Sequence, residues 1–184
     1  MILRILLPLL LLVGFTACNN DDPNARFTLP VQNLQFTIDA GLSTFDSHYY
    51  NLVDVPVQLD SLASFYNLTR SSIESLVPRR ASVESIFGNG DYSFMREISV
   101  RICSQDESVK LRNGEPEQCD FEIFWRNTIP NDVGNRLDII PNENDLLQYL
   151  EDGRATFQVK LVSPLYRSPN QFIESRLLME FDAY

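Results

Sequence analysis

Apolar and polar residues alternate with a period of two in six stretches of this chain. Such alternation is typical of strands that bury one face and expose the other in an antiparallel sheet. The predicted inward residues are Leu34, Phe36 and Ile38; Val53, Val55, Val57 and Leu59; Ile98, Val100 and Ile102; Phe121, Ile123 and Trp125; Phe157, Val159 and Leu161; and Leu177, Met179 and Phe181. Residues 80–87 predict a seventh strand with ambiguous parity, and Pro56 makes the second stretch an edge strand or a partly paired one.

Signals for helices are short. Asp60 predicts an N-cap for residues 61–66, and Ser71 with Glu74 forms a capping-box pattern before a stop at Pro78. The clearest helix is predicted at residues 145–150, with Asn142 or Asn144 as N-cap and Gly153 as the C-terminal stop.

These elements together predict a mostly β protein. About seven strands with two or three short helices favour an antiparallel β-sandwich, and an α+β protein with one open sheet is the alternative. We expect one domain over residues 28–184, a length typical of a single domain.

The first seventeen residues have the three parts of an export signal. Arg4 supplies the positive charge, residues 5–13 form an apolar run, and small residues lead to Ala17. The run is too short to cross a bilayer as a helix. Together with the next residue, Cys18, this segment resembles the lipobox of bacterial lipoproteins, although Phe15 stands where Leu is usual. The resemblance implies cleavage of residues 1–17 by signal peptidase II and lipid on Cys18; the alternative is a plain secretory signal.

Residues 18–27 are mostly polar and predict a flexible acidic tether. The acidic pair Asp21 and Asp22 is similar to the export signal of surface-exposed lipoproteins of Bacteroidota-type cells. This similarity implies an outer-membrane location, with the domain on the cell surface or, alternatively, on the periplasmic face.

Charge narrows the classes of partner. The chain has 15 basic and 25 acidic residues, and removal of residues 1–17 takes away only Arg4, which leaves 14 and 25 and a net charge of −11. Nucleic acid binds to a basic protein face, and anionic lipid head groups repel a protein with this excess of acidic residues. We therefore expect no nucleic-acid partner and membrane contact through the lipid alone.

The two remaining cysteines make an even pair in an exported protein. A Cys103–Cys119 disulfide would close a polar loop and contribute about 3 kcal/mol by the chain-entropy argument. The alternation places Cys103 with the polar face and Cys119 with the apolar face. A bulge near one cysteine would bring both sulfur atoms to the same side of the sheet, and so would a position of the cysteines beyond the regular ladder. The remaining alternative is that the two thiols are free.

Residues for catalysis or metal binding are sparse. His48 is the one histidine, and no zinc motif, nucleophile elbow or phosphate loop occurs. We expect no enzyme activity, no metal and no cofactor. The weak binding candidates are His48, Tyr49 and Tyr50, which could stack on a sugar or grip a partner, or could instead anchor their loop to the core. Tyr92, Phe94 and Met95 raise the same question.

The chain is therefore expected to be a lipid-anchored binding module for an envelope protein or a surface glycan. The alternative is a carrier that holds an apolar, lipid-like ligand between its sheets.

Overall fold

The computed structural model describes residues 22–103, 119, 121–150 and 153–184. Its eight strands are β1 (Phe27–Ile38), β2 (His48–Pro56), β3 (Leu76–Ser85), β4 (Glu97–Ile102), β5 (Phe121–Asn127), β6 (Arg136–Pro141), β7 (Arg154–Val162) and β8 (Ile173–Ala183). One α-helix, α1, spans Leu59–Phe65, and 3₁₀ turns lie at Arg70–Ser72 and Leu147–Tyr149.

All strand pairs are antiparallel, in the order β1-β8-β3-β6-β5-β4-β7-β2. The first four strands in this order form sheet A, and the last four form sheet B. The two sheets are joined at one corner, where β5 and β6 pair at only two positions. At the opposite corner Phe36 of β1 and Tyr50 of β2 approach to 5.1 Å between ring centroids. The sheet is therefore nearly closed around one core, and the predicted antiparallel β-sandwich with few short helices is confirmed.

Inward positions on both sheets are filled by apolar side chains. The fully buried aromatic residues are Tyr92, Phe94, Phe124, Phe157 and Phe181. The residues predicted to face inward in β4, β7 and β8 are buried, and so are Leu34, Phe36 and Ile38 in β1, which confirms these predictions. Burial of these side chains is the main stabilising contribution of the fold.

The predicted inner face of β2 is only partly correct. The register of β2 against β7 shifts between Leu52 and Val55, and Asp54 has a positive φ of 58°. The extra residue turns Val53 outward, where it is 70 % exposed, while Leu52 is buried in its place. Leu59, predicted as a strand residue, is buried as the first residue of α1. The edge position expected from Pro56 is confirmed, because β2 is the last strand in the order.

A second bulge changes the face of β5. Its register against β4 shifts between Val100 and Arg101, so one more β5 residue is accommodated. Phe124, predicted on the polar face, is fully buried, and Trp125 is only half-buried. The alternation counted along the sequence fails here because a bulge inverts the parity of everything beyond it.

Two predictions of helices are wrong in detail. The segment from Ser71 to Pro78 is no helix: a 3₁₀ turn at Arg70–Ser72 is followed by β3, and Pro78 lies inside that strand. Asp60 is not a cap but lies in the first turn of α1, whose N-cap is Gln58.

The helix predicted at residues 145–150 is reduced to the 3₁₀ turn Leu147–Tyr149. Neither asparagine caps it; the Asp145 carboxylate accepts from the backbone N–H groups of Leu147 (3.0 Å) and Leu76 (2.9 Å). Asp145 thereby joins the turn to β3, and Leu146 and Leu150, on either side of the turn, are buried in the core.

The sequence analysis missed β6. Leu137 and Ile139 are its buried residues, and this short strand forms the edge of sheet A that meets sheet B. Within the described part of the chain, no helix has the length and apolar character needed to cross a membrane.

Candidate functional site

The strand directions divide the connections between two ends of the sandwich. Residues 39–47, 86–96, 128–135 and 163–172 form four loops at one end, called the loop end below. The first described residue, Asp22, and the last, Tyr184, lie together at the other end, called the N-terminal end, with their side chains hydrogen-bonded. A twelve-residue strand such as β1 is roughly 35 Å long, and this length separates the two ends.

Backbone hydrogen bonds join the four loops to one another. Consecutive residues of the β7–β8 loop reach two different loops, since Leu165 N–H donates to Thr44 O and Tyr166 N–H donates to Phe94 O, each at 2.9 Å. Further bonds link Gly41 N–H to Pro169 O at 2.9 Å and Tyr92 N–H to Gly134 O at 3.1 Å. Loops tied in this way keep their relative positions, which reduces the entropy lost on binding a ligand.

A polar cluster lies at the centre of the loop end. The Arg167 guanidinium donates to Asp91 Oδ2 at 2.9 Å and to Ser93 Oγ at 2.7 Å. Asp91 also accepts from the backbone N–H and the hydroxyl of Ser93. Partial burial raises the pKa of Asp91, but the Ser93 hydrogen bonds and the Arg167 charge outweigh it, so the pKa lies below its usual value.

Below this cluster the β3–β4 loop is fixed to the core. Tyr92 is fully buried, and its hydroxyl donates to Ser175 Oγ at 3.0 Å. Burial raises the pKa of Tyr92 to about 12. Gly90 is packed so closely that a Cβ atom would lie 2.6 Å from Ile173 and 2.8 Å from Ser85. Only glycine fits at this position without displacement of its neighbours.

A cleft of about 350 Å³ opens beside the cluster. It is lined by Asp91, Phe94, Arg167, Ser168, Pro169, Asn170, Gln171 and Ile173. Gln171 Nε2 donates to Asn89 O at 3.0 Å, which holds one wall of the cleft. The lining presents carboxylate, guanidinium, hydroxyl and amide groups around a smaller apolar floor.

Four exposed aromatic side chains lie on three of the four loops of this end. Phe45 is 86 % exposed, Phe87 68 %, Phe172 60 % and Tyr166 52 %. Large apolar side chains that remain in water in such a group are typical of surfaces that bind a partner. Nothing in the sequence pattern indicates these four, because they lie in loops without periodicity and come together only through the fold.

The predicted candidates His48, Tyr49 and Tyr50 lie where the β1–β2 loop joins β2. His48 Nε2 is 2.8 Å from Ser43 O, Lys160 Nζ lies 5.4 Å from the centre of the Tyr49 ring, and Tyr50 packs on Phe36. Burial and the nearby negative charge of Asp39 raise the pKa of Tyr50. Tyr49 and Tyr50 are consecutive strand residues and face opposite sides of sheet B, so the three side chains do not form one surface. Tyr92 and Phe94 are core residues, as is Met95.

Cys103 and Cys119 are joined in a disulfide, with their Cα atoms 4.5 Å apart. Both features that would reconcile their parity are present. The ladder between β4 and β5 contains a bulge, and each cysteine lies just beyond the paired residues. Residues 104–118, the whole loop that the disulfide closes, lie outside the described residues, as do residues 1–17, Cys18 and Asp21.

A second cleft, of about 510 Å³, lies on the outer face of sheet A above Ser82 and Leu178. Arg80 pairs with Glu180 at 2.6 Å on one side, and Arg136 pairs with Asp138 at 2.9 Å on another. The arginines of this cleft are thus compensated by carboxylates, as Arg167 is by Asp91 at the loop end.

The groups that the structure describes at the loop end are poorly arranged for catalysis. A carboxylate with a lowered pKa is a weak general base, and the Ser93 hydroxyl already donates to Asp91 and accepts from Arg167. Among the residues that the structure describes, no three His, Cys, Asp or Glu side chains converge as a metal site requires.

Comparison with known proteins adds no assignment. No protein-family model matches the chain, and no curated protein sequence is significantly similar to it.

Proposed function

We propose that this chain is a lipid-anchored lipoprotein of the bacterial cell envelope whose β-sandwich is a non-enzymatic binding module. In this proposal signal peptidase II removes residues 1–17, lipid on Cys18 holds the protein on the outer membrane, and the loop end binds a partner protein. The single observation that carries the proposal is the position of the cross-linked, aromatic-rich loop end at the pole opposite Asp22.

The residue types of the loop end favour a protein partner over a glycan. Phe, Tyr and Arg are enriched in protein interfaces, and the loop end exposes three phenylalanines and one tyrosine beside Arg167. Burial of one such ring contributes on the order of 2 kcal/mol. A surface glycan bound by the polar cleft is the other outcome that the test must detect.

The test is site-specific photocrosslinking in intact cells. A benzophenone amino acid replaces Phe45 or Tyr166 at the loop end, or Val53, which is 70 % exposed on β2 and serves as the matched control. We expect a discrete protein adduct from positions 45 and 166 and none from position 53.

Three other outcomes would contradict the proposed protein partner. Equal adducts from all three positions would indicate random encounters. Absence of adducts together with retention of the chain on immobilised surface polysaccharide would assign a glycan. Lipid that co-purifies in stoichiometric amount and is seen by native mass spectrometry would support a carrier, against the filled interior described above.

A further inference from the structure

The chain is already part of the folded domain at Asp22. The Asp22 carboxylate accepts from the Tyr184 hydroxyl at 2.7 Å, and Arg26 N–H donates to Ala183 O at 2.7 Å. Ala25 N–H closes a turn onto Asp22 O at 3.1 Å. Of the ten residues predicted as a tether, Phe27 belongs to β1, and the five before it include Asp22, Ala25 and Arg26 with these contacts.

Only three residues, 19–21, separate Cys18 from Asp22, which makes four steps along the chain. A chain advances at most about 3.5 Å per residue, so Cys18 lies no further than about 14 Å from Asp22. With lipid on Cys18, as the proposed function has it, the N-terminal end of the sandwich is held within this distance of the membrane surface.

A pair of exposed aromatic side chains lies at this end. Phe65, the last residue of α1, is 76 % exposed, and the following Tyr66 is 48 % exposed. The Tyr66 ring stacks on Phe27 at 5.4 Å with an interplanar angle of 6°, and Phe65 contacts Tyr66 edge-on at 5.3 Å. Phe27 is the first residue of β1, so the pair lies beside the point where the chain enters the domain.

Because the chain is acidic, we expect the pair to contact a membrane surface without net negative charge. Asp60 on α1 is paired with Arg70 at 3.5 Å, and Asp22 is bound to Tyr184. The mature chain as a whole carries a net charge of −11, which anionic head groups would repel. Phe and Tyr side chains at the end of a short anchor match the interfacial layer of a bilayer, where an apolar ring and a polar hydroxyl are both accommodated.

We propose that Phe65 and Tyr66 insert into the head-group region of the bilayer that holds the Cys18 lipid, so that the domain docks with its loop end directed outward. This contact rests on the proposed lipid anchor and adds to it a second attachment, which fixes orientation rather than supplying most of the affinity. The net charge of the chain by itself predicts membrane contact through the lipid alone. The short linker and the position of the aromatic pair are the reasons for adding a contact between the domain and the bilayer.

The experiment measures the depth of single tryptophans in the full-length, lipidated protein. Trp125 is replaced by Phe, and a new tryptophan is introduced as Phe65→Trp or, as the matched control at the other pole, Phe45→Trp. The proteins are reconstituted in phosphatidylcholine vesicles with brominated acyl chains, which quench nearby indole rings. We expect emission from position 65 to shift to the blue and to be quenched, and emission from position 45 to be unaffected.

Failure of this contact and failure of the anchor give different results. Vesicle flotation without quenching at position 65 would overturn the docked aromatic pair and leave the lipid anchor intact. A protein that does not float with the vesicles and carries no acyl mass would overturn the anchor itself. Should Trp125→Phe impair folding, both variants are measured with Trp125 retained, since the difference between positions 65 and 45 still reports the depth.

Discussion

At the scale of single residues, the Cys103–Cys119 disulfide is a covalent restraint on the chain. Cys103 and Cys119 are both buried, and Cys103 N–H donates to Thr156 O at 2.9 Å, which ties the bridge to β7. The bridge connects residues 16 apart, and a loop of this length contributes about 3 kcal/mol by restricting the unfolded chain.

We predict that a reductant lowers the free energy of unfolding by about 3 kcal/mol. The measurement is urea denaturation followed by circular dichroism, with and without dithiothreitol. The double variant Cys103→Ala, Cys119→Ala is the matched control, and reductant should leave its midpoint unchanged. Thiol labelling of either cysteine in the unreduced, denatured protein would show that no bridge exists.

At the scale of elements, the loop end depends on bonds between loops. Arg167 from the β7–β8 loop and Asp91 from the β3–β4 loop form an ion pair at 2.9 Å, with both side chains more than half exposed. Exposed pairs contribute at most about 1 kcal/mol each, so this bond orders the loops without dominating stability.

Acid should weaken the ion pair between Arg167 and Asp91. The folded-state pKa of Asp91 lies below the unfolded value of 3.8, so its carboxylate contributes stability that is present above pH 3.8 and lost as the pH falls through the folded pKa. We predict that wild type loses more stability than Asp91→Asn between pH 5 and pH 2.5, as measured by urea denaturation at each pH.

Asp132→Asn, on a neighbouring loop, is the control and should follow the wild-type pH profile. Identical profiles for wild type and Asp91→Asn would show that the Asp91 carboxylate makes no net contribution.

At the scale of the whole molecule, the two poles have different properties. The N-terminal end contains the entry of the chain and the pair Phe65 and Tyr66, whereas the loop end contains four exposed aromatic residues and a polar cleft. Because the strands run between these poles, an anchor at one end presents the other to whatever lies beyond the membrane.

We predict that Cys18→Ala moves the protein from the membrane fraction to the soluble fraction. The physical reason is that two interfacial rings are a weak attachment compared with acyl chains. Cell fractionation and immunoblotting measure the change, and Cys103→Ala, which keeps Cys18, should stay with the membrane. A Cys18→Ala protein that remains acylated and membrane-bound would refute the lipobox assignment.

The inward face was predictable in strands that contain no extra residue themselves. The alternation around Ile98, Phe157 and Leu177 predicts inward faces that the structure confirms. It fails at Val53 and Phe124, because a bulge is a property of two paired strands and one strand alone does not encode it. The capping box at Ser71 gave a helix that the structure lacks, since pairing with β8 extends the backbone from Leu76 onward.

The candidate site was predictable to a smaller extent. The sequence led to His48, Tyr49 and Tyr50, which lie close to the loop end but not on one face. Phe45 is only three residues before His48, yet its exposure depends on the loop path set by the Leu165 to Thr44 hydrogen bond.

The sequence by itself determined the class of fold and most of the strand-forming segments, because side chains that alternate in polarity favour a strand with one buried face. It also determined the net charge and predicted a Cys103–Cys119 bridge, with two free thiols as the alternative. Only the tertiary structure decided the strand order, the bulges and the meeting of four loops at the pole opposite Asp22. These depend on contacts between residues as much as 162 positions apart, such as that between Asp22 and Tyr184, and local patterns carry no information about them.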